Sequence, residues 1–421
     1  MRAISVMVTS VGRLVALGVF LTRGFLPLEP QPSYAQDQSA PLGVVVMPIE
    51  GPAVRATLRR VEPPWTFLVQ VEGQEAETPL SGESLFRLSR QPRGARTLES
   101  SSISGPCVLL AGGDRLRVRV GGTTDEALQL RSRLFGELAV PWEAVAAIAL
   151  RGDEGPAVPR RPRNAALNQD VLVLTNGDSV GGTILSMDEQ QIELDSTVGE
   201  VKIVRSGVAS IFFNPDLTHV PEPEGLHALV WLSDGSRVTA VALRSAGNRL
   251  VLDTPYRVRL EVDASAVEQV QFFGGPLVYL SDLEPAGFEH TPYFTVRWPF
   301  QRDRSVGGNP LRLRGTTYAK GLGLHSDSRL AYDLGARFRR FEATIGIDDE
   351  TDGVGSVVFR VVVDGKERYA SPVVRGTDEP ITLEPIDVAG AQTLELLVEH
   401  ADYGDVQDHS DWVDARLLRA E

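Results

Sequence analysis

The sequence predicts an all-β protein in which tandem small β-barrel repeats precede a C-terminal β-sandwich. Three observations support this fold class. The 421 residues include 40 Gly and 27 Pro, which favours many turns over long helices. One pattern of strands and turns recurs along the first two thirds of the chain. Between the turns, apolar and polar residues alternate with the period of half-buried strands.

Composition and charge exclude several classes of function. The formal net charge is −14 at pH 7, whereas binding to nucleic-acid phosphates needs a basic surface. The single cysteine, Cys107, excludes an intrachain disulfide framework and a cysteine-rich zinc site. We therefore expect no nucleic-acid partner.

Residues 1–35 are predicted to be a signal peptide. Basic residues precede a short apolar run over 14–21, which is too short to span a bilayer as a mature helix. Ser33 and Ala35 place small residues at −3 and −1 of a cleavage site before Gln36. We expect an exported protein, located in the periplasm, on the cell surface or outside the cell, with no transmembrane span in the mature chain. An uncleaved amphipathic anchor is the alternative.

Three segments share an apolar strand, a glycine-containing polar turn, a middle apolar pair and a closing apolar run. The turns contain Gly113, Gly177 and Gly235, and a weaker first copy has Gly51 in its turn. A register of this length, held three times, indicates a repeat. The predicted repeats are 105–152, 169–215 and 227–274, the weaker first copy is 41–90, and the linkers are 153–168 and 216–226.

Each repeat has about the size of an SH3-like or Sm-like barrel. A closed barrel removes exposed strand edges, which otherwise promote aggregation, so we expect each repeat to close on itself. The repeats contain no histidine and carboxylate pair at a useful spacing and no phosphate-binding loop. We therefore expect the repeats to display the C-terminal domain without performing chemistry, and contacts with protein partners through them are the alternative role.

From residue 277 the pattern changes to strands that recur about every ten residues with polar turns between them. Val357 and Phe359 alternate with polar or outward-facing residues, and Asp364-Gly365 is a strong turn signal. This spacing, with no long helix required, is typical of an antiparallel sandwich. The predicted sandwich domain is 277–421.

Three ordered motifs in this domain resemble those of the NPCBM family of carbohydrate-binding modules. Lys320 to His325 is similar to the family's KGxGxH. The segment 346–359 is similar to its GxDDE followed by GSVxF, and 408–415 to its DHADWADA. The last motif departs at two positions, which are Ser410 and Val413 where alanine is usual.

This resemblance covers roughly 291–418. It implies a galactose-binding-like jelly-roll sandwich that binds carbohydrate, often galactose-type sugars. The family's module usually accompanies a glycoside hydrolase, but nothing upstream in this chain resembles a hydrolase barrel. The whole arrangement also resembles exported proteins of planctomycete-type bacteria.

Sugar recognition needs an aromatic face for the C–H surface and fixed polar groups for the hydroxyls. Two alternatives stay open, because Trp412 also suits a core position and His325 also suits a turn whose carbonyls it satisfies. An exposed aromatic residue beside His325 favours a sugar site, and its absence favours a scaffold that has lost sugar binding. The candidate ligand-binding residues are His325, Lys320, Asp408, His409, Asp411 and Trp412.

Carboxylates are concentrated at 348–352 and at 399–414. Because Ca²⁺ prefers carboxylate and carbonyl oxygens, these loops suggest a structural calcium site, and a solvated acidic loop is the alternative. An acid–base pair of Asp349 and Asp411 would need a cleft that a small sandwich rarely forms, so we expect no catalysis. The candidate metal ligands are Asp348, Asp349, Asp411 and Asp414.

Overall fold

A computed structural model describes residues 42–91, 105–151, 161–162, 165–293, 295–402 and 404–420. Within these residues the chain forms strands and short 3-10 helices, so the predicted all-β class is confirmed. The predicted signal peptide lies outside the described residues, as does most of the linker 153–168. No helix in the described ranges has the length and hydrophobicity needed to cross a membrane.

Four consecutive segments share one topology. In each segment the first strand pairs with both the second and the last strand. A three-residue 3-10 helix precedes each last strand, at Gly82–Ser84, Trp142–Ala144, Arg205–Gly207 and Ala264–Ala266.

The strands of the four repeats are, in chain order, β1 (Leu42–Pro48), β2 (Val54–Glu62), β3 (Thr66–Val71), β4 (Glu77–Ser81) and β5 (Leu85–Arg90); β6 (Cys107–Leu110), β7 (Arg115–Arg117), β8 (Arg119–Thr123), β9 (Ala127–Ser132), β10 (Gly136–Pro141) and β11 (Val145–Ala149); β12 (Asp170–Leu174), β13 (Ser179–Met187), β14 (Gln191–Ser196), β15 (Gly199–Val204) and β16 (Val208–Phe212); β17 (His227–Leu232), β18 (Arg237–Ala240), β19 (Ala242–Ala246), β20 (Arg249–Asp253), β21 (Arg259–Asp263) and β22 (Val267–Phe273).

The first hairpin of each repeat depends on a glycine. Gly113, Gly177 and Gly235 have φ values of +91°, +91° and +85°, which residues with a side chain rarely adopt. Their amides donate to the carbonyl three residues earlier at 2.9, 3.0 and 2.9 Å. Gly51 has φ of +96° in the corresponding turn of the first repeat. The turn glycines seen in the sequence therefore produce equivalent hairpins.

The repeats do not form the closed barrels that the sequence suggested. In the described residues, the last strands of different repeats pair with each other, β11 with β16 and β22 with β5. Ile148 lies opposite Ile211 in one pair, and Val270 lies opposite Leu88 in the other. The outer edges of these four strands are thus covered by another repeat instead of by closure.

Two pairs of repeats result, the second with the third and the first with the fourth. Among the described strands, one residue pair between β7 and β18 joins the two pairs into a sheet of 16 strands. The second and fourth repeats each place three further strands in a separate small sheet, β8 to β10 and β19 to β21. Buried apolar side chains from all four repeats form one continuous core.

The C-terminal region is a sandwich of two antiparallel sheets. One sheet contains strands in the order β25-β28-β37-β30-β34, and the other β24-β29-β36-β31-β32. Alternate residues such as Val357, Phe359 and Val361 are fully buried between the sheets.

The strands of the C-terminal region are β23 (Leu277–Tyr279), β24 (Gly287–His290), β25 (Gln301–Arg302), β26 (Arg312–Leu313), β27 (Thr316–Thr317), β28 (Gly321–His325), β29 (Ser328–Asp333), β30 (Phe338–Ile347), β31 (Ser356–Val363), β32 (Lys366–Ala370), β33 (Val374–Arg375), β34 (Ile381–Thr382), β35 (Ile386–Asp387), β36 (Thr393–His400) and β37 (His409–Arg419), with 3-10 helices at Leu280–Asp282 and Asp349–Thr351.

The sandwich packs directly on the first and fourth repeats. Asp414 of β37 accepts a hydrogen bond from Gln271 Nε2 at 3.1 Å and lies 3.6 Å from Arg87 Nη1. An apolar cluster beside these polar groups contains residues from both sides. Its buried members are Phe86, Phe273, Leu277, Tyr279 and Leu418.

Candidate functional site

Four rings meet at one end of the sandwich. His325 ends β28 and His409 begins β37, and the two are opposite each other in the pairing of these strands. His290 ends β24, and Trp298 lies in the irregular segment before β25. We call these four residues the histidine–tryptophan cluster.

Trp298 covers His325 in this cluster. The two rings are nearly parallel, with 4° between their planes and 5.3 Å between their centroids. The His409 ring lies 5.3 Å from Trp298 and 5.7 Å from His325, and His290 contacts His325 edge-on at 5.8 Å. His325 is 3% exposed, whereas Trp298 is only half-buried. The cluster therefore presents an accessible aromatic residue backed by imidazoles.

A second aromatic residue, Tyr293, lies beside the cluster and is 57% exposed. Its ring contacts His400 edge-on at 6.0 Å. The Nδ1 atom of His400 lies 2.9 Å from the carboxylate of Asp327, and this hydrogen bond raises the pKa of His400. Since Asp327 follows His325 by two residues, this pair extends the polar surface next to the cluster.

Glu350 fixes the orientation of His409. The Nδ1 atom of His409 lies 2.6 Å from Glu350 Oε1. Burial alone would raise the pKa of Glu350, but the hydrogen bonds that it accepts lower this pKa to about 2. An ionised carboxylate only accepts, so His409 Nδ1 carries a proton and Nε2 is left for a ligand. The donors to Glu350 are His409, Ser305, Asn309 and the amide of Gly307.

Four buried polar atoms at this end of the sandwich have no hydrogen-bond partner among the described residues, namely His325 Nδ1, Ser326 Oγ, Ser328 Oγ and Asp408 Oδ2. Burial and the charge of His409 lower the pKa of His325 to about 4, so its ring is neutral at pH 7. Burial raises the pKa of Asp408 to about 6, although its Oδ1 accepts from the Ser356 amide at 2.8 Å. Buried polar atoms are normally satisfied, and Ser326, which lies next to both groups, lowers the pKa of Asp408 and raises that of His325.

Of the predicted ligand-binding residues, the structure brings together His325, His409 and Asp408 but not Lys320. Lys320 precedes β28, at the opposite end of that strand from His325. Its ammonium group contacts the carboxylates of Asp282 and Asp303, the latter at 2.9 Å. Lys320 therefore has a local ion-pairing role away from the cluster.

Trp412 lies in the core, which corrects its assignment as a candidate ligand platform. It is 0% exposed and packs edge-to-face on Phe359 with 5.1 Å between the ring centroids. The alternation of β37 turns its side chain between the two sheets, so its ring has no accessible face. The alternative role considered from the sequence, a core tryptophan, is the one that fits this position.

The acidic turn at 348–350 holds a neighbouring loop. Asp348 Oδ2 accepts from the Arg312 amide at 2.9 Å. Asp349 accepts from the amides of residues 314–315, both at 2.8 Å. These carboxylates are therefore already engaged by backbone donors, which accounts for an acidic run at this turn without a bound cation.

The four candidate metal ligands do not converge. Asp411 is 0% exposed, and burial and the charge of Asp348 raise its pKa well above the usual range. Asp411 is thus also out of reach of any substrate that it would serve as an acid or base. Asp414 lies instead at the contact with the repeats. In the described ranges, no group of three or more His, Cys, Asp or Glu residues is arranged to hold a metal ion. Calcium binding stays a prediction.

Sequence reasoning missed Trp298 and the role of Glu350. The segment 291–300 has no strand alternation, so the strand pattern did not assign Trp298 to any element. The available signal was a tryptophan outside every strand pattern and directly before Pro299. Glu350 was recognised only as one member of an acidic run, because sequence spacing does not show that His409 lies beside it.

Comparison with known proteins identifies the C-terminal region. Residues 277–418 match the NPCBM/NEW2 domain family. Over 147 residues the chain is 36% identical to the "Putative endo-alpha-N-acetylgalactosaminidase" of Renibacterium salmoninarum, which covers 33% of this chain and 9% of that protein. Over 115 residues it is 35% identical to alpha-1,3-galactosidase B of Akkermansia muciniphila, which covers 27% of this chain and 14% of that protein. The chain thus spans only a small part of the length of both relatives.

Among solved structures, the chain is similar to a CBM51 module from Clostridium perfringens GH95 in complex with methyl-galactose. The identity is 30%, with 34% of this chain and 99% of that chain covered, and the TM-score is 0.31. The family match defines residues 277–418 as a domain of the carbohydrate-binding-module type. This region is an NPCBM domain, which confirms that part of the resemblance seen in the sequence. The likeness to planctomycete-type proteins stays a prediction.

Proposed function

We propose that the C-terminal sandwich binds the terminal sugar of a glycan at the histidine–tryptophan cluster. The parallel stack of half-buried Trp298 on His325 is the observation that carries this proposal. An aromatic face packs against the C–H face of a sugar ring, and fixed polar atoms take its hydroxyls. Near the stack, His409 Nε2 is available for such hydrogen bonds, whereas His325 Nδ1 and Asp408 Oδ2 are buried and would have to become accessible on binding.

The sugar that we propose is of the galactose type. The family resemblance implies this class, and the names of both curated relatives refer to galactosidase or N-acetylgalactosaminidase enzymes. Since the chain shares only one domain-sized segment with them, we propose shared sugar recognition without shared catalysis. The signal-peptide pattern at 1–35 supports export, where such glycans are encountered.

The test begins with a glycan array on the full-length protein, followed by calorimetric titration with methyl-galactoside. Trp298→Ala should weaken binding at least tenfold, because the sugar loses its stacking surface. His325→Ala should weaken it by about 1–3 kcal/mol if the ring hydrogen-bonds a hydroxyl. Tyr369→Ala is the matched control, a half-buried aromatic residue on β32 that contacts no ring of the cluster.

Unchanged affinity in Trp298→Ala would remove the cluster as the sugar site. Absence of any glycan binding by the folded protein would instead favour the alternative, a scaffold that has lost sugar binding and acts through its repeats. The sequence named an exposed aromatic residue beside His325 as the distinguishing feature, and the half-buried Trp298 on His325, with exposed Tyr293 next to the cluster, supports the sugar site over this alternative.

A further inference from the structure

A second polar cluster lies where the two pairs of repeats meet, outside the sandwich. Arg115 of β7 and Arg237 of β18 are opposite each other in the residue pair that joins the strands. Arg117 lies on the same face of β7, two residues further on. Trp231 of β17 is opposite Arg237 on its other side. All four side chains are half-buried. We call the three basic residues the junction arginines.

Several donors in this cluster lack acceptors. The Arg237 guanidinium lies over the Trp231 ring at 4.2 Å from its centroid, and it has no hydrogen-bond or ion-pair partner in the part of the chain that the structure describes. Arg117 donates from Nη1 to the Gly105 carbonyl at 2.6 Å. Its Nε atom and Trp231 Nε1 are buried with no partner among the described residues. Guanidinium and indole groups only donate, so what is missing is an acceptor.

The electrostatics of the junction also indicate a missing acceptor, one with negative charge. Burial and then the charge of Arg115 lower the pKa of Arg237 to about 10. Burial and then the charge of Arg117 lower the pKa of Arg115. Like charges in a partly desolvated position are unfavourable unless a counter-charge is bound. The charge of Asp234 raises the pKa of Arg115 and offsets part of this repulsion, so Arg237 is the member of the cluster left without an ion-pair partner among the described residues.

We propose that the junction arginines bind an oxyanion, namely a sulfate, phosphate or carboxylate group that is free or carried on an acidic saccharide. The planar donor fork of arginine suits such groups. The anion would accept from Arg237 and neutralise the like charges beside it. It would also bridge the second and fourth repeats at the residue pair that joins them, so binding stabilises the junction. This site is independent of sugar binding by the sandwich.

The test uses the full-length protein with sodium sulfate, inorganic phosphate and D-glucuronate as probes, at ionic strength held constant with sodium chloride. Thermal unfolding should show a saturable rise in midpoint with at least one probe, and calorimetric titration should give its Kd. Arg237→Gln should raise that Kd at least tenfold. Arg259→Gln is the matched control, since this exposed arginine of the same repeat already pairs with Asp253 at 2.7 Å and should leave the Kd unchanged.

Arg237→Lys separates geometry from charge, because it keeps the cation and loses the planar fork. It should bind more weakly than the wild type and more tightly than Arg237→Gln. If Arg237→Gln does not fold, Arg117→Gln takes its place with the same expectation. Binding of glucuronate, or of the inorganic ions alone, supports the proposal and identifies the source of the oxyanion. No saturable effect of any probe on the wild type, or equal binding by the folded Gln variant, overturns it.

Discussion

Trp412 and Trp298 occupy opposite environments in one domain. Trp412 is 0% exposed between the two sheets, where it packs on Phe359. Trp298 lies outside the strands and keeps part of its surface accessible above His325. Substitution of each residue should therefore affect a different property of the protein.

Trp412→Ala should lower the free energy of unfolding by about 3–5 kcal/mol, because it leaves a large cavity in the core. Trp298→Ala should lower it by less than Trp412→Ala does, because the Trp298 ring lies outside the core and is only partly buried. Urea unfolding of both variants measures the difference. Equal losses in the two variants would contradict the assignment of Trp412 to the core and Trp298 to the surface.

His325 links folding to pH. Its pKa is about 4 in the folded chain and 6.5 ordinarily, so the unfolded chain binds more protons between these values. The contribution of His325 to the free energy of unfolding is therefore fully present above pH 6.5. It is lost as the pH falls towards 4, by up to about 3 kcal/mol. Asp408 has the opposite effect on stability as the pH falls. Its pKa is raised to about 6, and protonation below this value makes its burial less unfavourable.

The His325 effect is isolated by comparing the wild type with His325→Asn, which retains a polar side chain that does not titrate. Urea unfolding from pH 7.5 to pH 4 should show a steeper loss of stability in the wild type. Parallel pH profiles for the two proteins would show that the buried imidazole does not titrate as proposed.

At the level of elements, the acidic turn at 348–350 connects strand β30 to the turn between β26 and β27. Asp349 accepts two amides of that turn, at residues 314–315. Glu350 accepts hydrogen bonds from the imidazole of His409 and from donors in residues 305–309. One turn thus positions both a loop and a ring of the histidine–tryptophan cluster.

Asp349→Ala should speed hydrogen exchange of the amides at 314–315 and lower stability by about 1–3 kcal/mol, because those donors lose a charged acceptor. Asp364→Ala is the matched control. Its carboxylate accepts the amides of residues 392–393 at 2.9 and 2.8 Å in a turn elsewhere in the sandwich. That variant should speed hydrogen exchange of the amides at 392–393 and leave the amides at 314–315 protected from exchange. Faster exchange at 314–315 in both variants would indicate global destabilisation instead of a local contact.

Local features of the elements were predictable from the sequence, and their long-range partners were not. The turn glycines and the alternation around Val357 depend on neighbouring residues only, and they appear in the structure as expected. Strand β11 could close its own repeat or pair with β16, depending on which strand edges meet. The alternation of residues along a strand does not determine this partner. The same limit applied to the site, because motif order suggested His325 and His409 but not the tryptophan that covers them.

For the molecule as a whole, the contact between sandwich and repeats affects stability. Tyr279 and Leu418 are buried in the cluster that they share with Phe86 and Phe273. The fragment 277–421 alone would expose these apolar surfaces and leave Asp414 without Gln271. We expect it to fold cooperatively, as its closed strand pattern predicts, but with a lower thermal midpoint than in the full chain.

Scanning calorimetry of the fragment and of the full-length protein measures this difference. Phe86→Ala in the full-length protein removes one side chain of the shared cluster and should shift the sandwich transition part of the way towards the fragment value. An identical midpoint for fragment and intact chain would mean that the repeats add nothing to the stability of the sandwich.

Strand β28 has its two ends in different surroundings. Its first end follows Ala319 and Lys320, near the contact with the repeats, and its last residue, His325, belongs to the cluster. The five residues of β28 place its two ends roughly 13 Å apart. The repeats therefore lie at the other end of this strand from the proposed sugar site, and a polymer too bulky to enter a cleft could still reach the cluster if it binds there. Copies immobilised through their repeats would all present the cluster outward, and a ligand with many sugar ends would be retained by rebinding between neighbours even if each single contact were weak.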